Sequence, residues 1–244
     1  MKKIVLFVIL GLITGSLWAQ DPGAVEKNAG NDAWKAKNYA LAFTNFEKYL
    51  QIVKFADKPY IYNTAVAASK AKNYVAAEKY FDMAIKNNYK VGNAYLGKAQ
   101  AEEDQGKGAE MVATLEQGLK AVPGNAKLES MYGSYFLKNG VEAQKANDVA
   151  KAAENYVKAT TLTDKGLKVQ GLMALGSLYF NNGAATLQKA TPIANTDKEK
   201  YEAEKTKAAG DFKKALDYAA EALKIQPENT ELKDLMTQIK GAMK

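Results

Sequence analysis

Glu102, Glu103 and Asp104, in the stretch AEEDQG, form the densest acidic run of this sequence. Paired carboxylates are the one route to acid–base catalysis left open, because the chain contains no histidine and no cysteine. Those two absences remove the usual general base, the thiol nucleophile and the usual zinc ligands. A working carboxylate pair must converge on one atom, whereas three consecutive helical residues spread around the axis. The run is therefore expected to be a solvated turn. The neighbouring QGKGAEM lacks the G-x-x-x-x-G-K-[ST] spacing of a phosphate loop. The chain reads as a non-enzyme, and no cofactor or metal is expected.

Charge narrows the partners. Lysine supplies all 34 basic residues, against 27 acidic ones, for a formal net charge of +7. Arginine is the usual residue for bidentate contacts to guanine and phosphate. Its absence, with lysines spread along the chain, argues against nucleic acid; the basic balance is a surface and solubility property. At the start, MKKIVLFVILGLITGSLWAQ places two lysines before an apolar run that ends near Trp18. That run is shorter than the ~20 residues that span a bilayer. It has the parts of a signal peptide over 1–19, with cleavage expected after Ala19. No cysteine follows it, so a lipoprotein is not expected. The expectation is a periplasmic or secreted protein with no membrane insertion after cleavage. With no disulfide to help, stability must come from packed surface.

The elements that would position any site are repetitive. AKNYALAFTNFEKYLQ begins at Ala36 and AKNYVAAEKYFDMAIK at Ala71. Each copy is the turn and second helix of a two-helix unit. In the second helix Ala77, Phe81 and Ala84 fall on one face. Gly133, Gly176, Ala77 and Ala215 let neighbouring helices approach, and facing aromatics fill the space left. Pro123 and Pro227 close second helices, because proline cannot continue one. No segment alternates with period two, so the chain is expected to be all-α. A two-helix unit cannot bury its own apolar face, and stacking units in series buries it.

These residues resemble the tetratricopeptide-repeat family, whose unit carries a small residue in helix one, then alanine, an aromatic and alanine in helix two. The small residue at position eight falls on Gly30, Ala65, Ala99, Gly133 and Gly176. Position twenty falls on Ala42, Ala77, Met111, Ala152 and Ala215, and the aromatic position on Phe46, Phe81, Leu115, Tyr156 and Ala219. The family's tryptophan at position four is absent from every unit. The resemblance implies a right-handed α-solenoid of about five units, at about 23–57, 58–91, 92–125, 126–168 and 169–229, within a domain spanning 20–229. A helical-hairpin insertion is expected at about 183–210, its first arm broken by Pro192 and its second opened by a Thr196–Glu199 capping box. The segment 230–244 is expected to be a capping helix.

In such arrays the first helices line a concave groove. Carried over from the family, the groove positions are Lys27, Asn31, Trp34 and Lys35 in unit one, and Tyr62, Val66, Ser69 and Lys70 in unit two. Unit three supplies Leu96, Gln100, Glu103 and Asp104. Unit four supplies Ser130, Ser134, Leu137 and Lys138, and unit five Met173, Ser177, Phe180 and Asn181. Some members grip a peptide's terminal carboxylate with five polar residues. Lys27, Asn31 and Asn63 match three of them, but Asn93 and Gly97 stand where the other two are basic. The resemblance implies a non-catalytic scaffold that binds a partner protein or an extended peptide. The alternative is a binder of carbohydrate or cell-wall fragments, with Trp34, Tyr62 and Phe180 as stacking platforms.

Overall fold

The computed structural model describes residues 21–244. The signal-peptide reading of 1–19 lies outside the described residues. Helices follow one another as antiparallel pairs: α1 (Ala24–Lys35) with α2 (Tyr39–Ile52), α3 (Lys58–Lys70) with α4 (Tyr74–Lys86), and α5 (Val91–Asp104) with α6 (Gly108–Ala121). Then come α7 (Ala126–Lys145) with α8 (Val149–Thr160), α9 (Lys165–Ala190) with α10 (Lys198–Ile225), and a final α11 (Thr230–Ala242). No strand occurs among the described residues. The architecture is an α-solenoid.

The repeated phrase AKNY is a turn written out in four residues. Ala36 and Ala71 are the C-caps of α1 and α3. Lys37 (φ 59°) and Lys72 (φ 60°) take the left-handed conformation that ends a helix. Asn38 and Asn73 then cap the next helix, each side chain accepting a hydrogen bond from a backbone N–H three residues on. The same turn recurs with other letters. Ala146, Asn147 (φ 58°) and Asp148 make it between α7 and α8, and Gln105, Gly106 (φ 74°) and Lys107 between α5 and α6.

Between the helices of a pair, an aromatic seats against a glycine. Phe46 packs on Gly30, and a Cβ on that glycine would collide with its ring. The register assigned from the sequence to units four and five needs correction. Tyr156 seats on Gly140, not on Gly133, which instead meets Leu162 and Leu167. α7 has 20 residues where α5 has 14, and the extra length precedes the packing glycine. In unit five Phe212 seats on Gly183, while Gly176 lies against the backbone at Ala215 and Ala219 and against Leu235. The expected insertion thus continues the small-against-aromatic packing of the unit. α9 begins at Lys165, four residues ahead of the expected start of unit five.

The turn of the long hairpin also differs in detail. Pro192 sits in a 3₁₀ turn, Thr191–Ile193, that follows α9. Asp197, not Thr196, caps α10, accepting from the Lys200 N–H at 3.1 Å; a carboxylate at this position also meets the positive end of the helix dipole. α10 runs unbroken through Gly210. The final helix buries Leu232 and Ile239 completely, each worth about 1.5–3 kcal/mol. Its other face is polar and exposed, so it closes the end of the stack.

Candidate partner groove

The first helices of units two, three and four, α3, α5 and α7, line a groove with a volume of about 680 Å³. From α3 come Tyr62, Val66 and Ser69; from α5, Asn93, Leu96, Gly97 and Gln100; from α7, Ala126, Lys127, Ser130, Met131 and Ser134. Phe81 of α4 reaches the floor from behind. It does so because Gly97 has no side chain: a Cβ there would collide with the Phe81 ring. Phe81 is 3% exposed and belongs to the core, as expected from the sequence; what was not expected is its edge at the groove, for which Gly97 is the available signal.

Tyr62 is held at the groove wall by edge-on contacts to Phe81 (centroids 5.7 Å apart) and Tyr89 (6.1 Å). The Lys90 ammonium lies 4.9 Å over its ring. Burial, and then the nearby Tyr89, push the Tyr62 hydroxyl above its ordinary pKa, so it stays a neutral hydrogen-bonding group at physiological pH. Leu96 and Met131 add apolar surface, and the serines and amides add hydrogen-bonding groups. An aromatic and aliphatic floor with scattered polar groups suits an extended peptide or a partner's helix.

The other expected positions are placed differently. Lys27 lies over the rings of Tyr49 and Tyr60, at 5.0 and 4.7 Å, and 3.6 Å from Asp57 Oδ2. Asn31 Nδ2 donates to the Tyr60 hydroxyl at 2.9 Å. Both side chains thus join units one and two, which leaves Asn63, half-buried, as the remaining match to a carboxylate grip. Trp34 packs edge-on against Tyr39 at 5.3 Å. Lys35 pairs with Asp32 at 3.2 Å, and Lys70 lies over Tyr39. At the far end Leu137 packs with the α7–α9 core, Met173 with Leu172 and Leu232, and Phe180 with Phe212 at 5.9 Å. Lys138 is exposed.

The acidic run divides. Glu103 and Asp104 are exposed, with Glu103 accepting from Gln100 Nε2 at 2.9 Å. Glu102, expected in a solvated turn, is only 2% exposed. It falls on the face of α5 that packs inward, with Lys98 3.8 Å from one oxygen. Its other oxygen, Oε2, has no hydrogen-bond partner. Burial raises its pKa, against the opposing pull of Thr114 and Lys98. Among the described residues no group of Asp and Glu could hold a metal ion, and no helix is long and apolar enough to cross a membrane.

No protein-family model and no curated protein matches this sequence. Solved structures do. The crystal structure of a TPR repeats protein from Bacteroides fragilis is 47% identical, over 91% of this chain and 99% of that one, with a TM-score of 0.88. Two yeast structures align with 14% identity. One is Tom70, over 90% of this chain and 67% of its own, with a TM-score of 0.39. The other is the TPR2AB domain of Sti1 in a complex with pHSP90, over 89% and 98%, with a TM-score of 0.38.

Proposed function

Because the chain belongs to the tetratricopeptide-repeat family, we propose that it is a non-enzymatic interaction scaffold that holds a partner protein or peptide in the groove of units two to four. The observation that carries this reading is the groove itself. Three successive first helices present Tyr62, Leu96 and Met131, with Phe81 of α4 behind them, in a cavity of about 680 Å³. That size lies within the range of roughly 300–1,000 Å³ usual for binding sites. Catalysis has little to work with, since the chain has neither histidine nor cysteine. The carbohydrate reading gains no support from Trp34 and Phe180, whose rings pack against Tyr39 and Phe212.

We place the scaffold in the bacterial envelope on the strength of the N-terminal sequence alone. Its test is the mass of the protein recovered from cells: export and cleavage leave a chain starting at or near Gln20, and an intact Met1 terminus overturns the proposal. Groove binding is tested with a photo-crosslinking residue at Ser130, in the groove, or at Val75, an exposed position on α4. In envelope extract a discrete adduct from Ser130 and none from Val75 supports the reading. Equal labelling, or none from Ser130, overturns it.

A further inference from the structure

Resting on the groove reading above, we infer that the groove selects a partner segment with a side-chain carboxylate next to an apolar or aromatic residue. Lys127 is the single charged residue of the groove lining. Lys90 stands at the wall over Tyr62. Lys90 immediately precedes α5, at its N-cap position, and Lys127 lies in the first turn of α7. Both helices are first helices of adjacent units and run the same way, so the two ammonium groups mark the same end of the groove.

Neither lysine has a carboxylate within ion-pair distance among the described residues. Other lysines at the seams between helices do: Lys27 has Asp57, Lys98 has Asp82, and Lys107 has Glu78 at 2.8 Å. Lys90 and Lys127 are exposed, and two cations without carboxylate partners beside an apolar floor make a carboxylate the complementary group, because a charge-assisted hydrogen bond is stronger than a neutral one. The opposite end carries Gln100 bonded to Glu103, which disfavours an acidic residue there. The bound segment is therefore oriented: carboxylate toward Lys90 and Lys127, apolar side chain over Gly97, Phe81 and Leu96. This differs from a grip on a terminal carboxylate through Lys27 and Asn31, since those two groups already hold units one and two together.

The test uses the full chain and a library of peptides blocked at both ends, randomised around one aromatic residue, with affinities read by fluorescence polarisation. Blocking removes terminal charges, so only side chains can supply the carboxylate. The expected result is enrichment of Asp and Glu on one side of the aromatic. Lys127→Glu then weakens the selected peptides about tenfold or more, Lys127→Ala weakens them less, and Lys189→Glu, on the exposed hairpin, leaves them unchanged. Far-UV circular dichroism checks that each variant is folded. Selection of neutral or basic peptides that Leu96→Glu abolishes overturns the carboxylate preference and leaves the groove standing. Absence of any bound peptide, or binding indifferent to both Lys127→Glu and Leu96→Glu, overturns the groove with it.

Discussion

The seam between units one and two and the seam between units three and four use the same helices in the same order, yet they close differently. At the first, Tyr60 of α3 enters edge-on between Phe46 (5.3 Å) and Tyr49 (5.0 Å) of α2. Its hydroxyl bonds with Asn31, the Tyr49 hydroxyl donates to Asp57 at 2.6 Å, and Lys27 covers both rings. Every polar group that enters this seam finds a partner. At the later seam the longer α7 displaces unit four along the stack. Met111, Leu115, Leu128 and Tyr132 still form a core, but crevices of about 330 and 730 Å³ open on either side of it. Away from that seam, inside unit three and facing Glu78 of α4 and Thr114 of α6, Glu102 keeps an unmatched oxygen. The first seam has a crevice of its own, about 580 Å³ beside Tyr49 and Pro59; what sets it apart is its closed network of aromatic and polar contacts, whereas α7, with roughly two added helical turns, lines both crevices of the later seam.

The contrast can be broken by substitution. Tyr60→Ala removes two edge-on aromatic contacts and leaves Asn31 short of a partner. It is expected to cost about 3 kcal/mol in denaturant unfolding, and a loss under about 1 kcal/mol would mean that the first seam is no tighter than the others. Glu102→Gln sharpens the comparison at a third place, between α4 and α6, where a buried polar group lacks the full set of partners found at the first seam. A raised carboxyl pKa means the folded chain holds the proton more tightly than the unfolded chain does. Stability is therefore lost as pH rises from below the ordinary 4.5 through the folded value. The glutamine variant should be more stable than the wild type near neutral pH, by on the order of 1 kcal/mol, and should lose that advantage in acid. Thermal melts at several pH values read this directly, and an advantage independent of pH would remove the ionised carboxyl as its cause. The smallest effect is expected at the crevice of the later seam. Ala109→Leu points into open volume beside Val112 and Tyr135 and should change stability by less than about 0.5 kcal/mol. A large loss there would show that the crevice is closed in solution.

Much of this was legible beforehand. AKNY gave the turn because capping depends on neighbours a few residues away: a left-handed residue, then an Asn whose side chain meets the next helix. The copy at Ala146, ANDV, is harder to see because Asn147 replaces the lysine and Asp148 the asparagine, although the same geometry admits both. The pairing of Gly140 with Tyr156 escaped notice because a repeat template counts from the start of a unit, and α7 places its added residues there. The groove positions carried over from the family include Tyr62, Val66, Ser69, Leu96, Gln100, Ser130 and Ser134, and all seven line the cavity, the last two on the longer α7.

The sequence by itself determined the local structure: where helices begin and end, which faces are apolar, that the units stack and that a polar-backed helix closes them. Those features follow from hydrogen bonds and side-chain periodicity within a few turns of chain. Tertiary structure alone decided that Lys27 and Asn31 serve a seam, that Phe81 reaches the groove through Gly97, and that Glu102 is buried while Glu103 is not. Each of these depends on which atoms of a distant helix occupy the adjoining space, and in a close-packed interior that is set by all the contacts together.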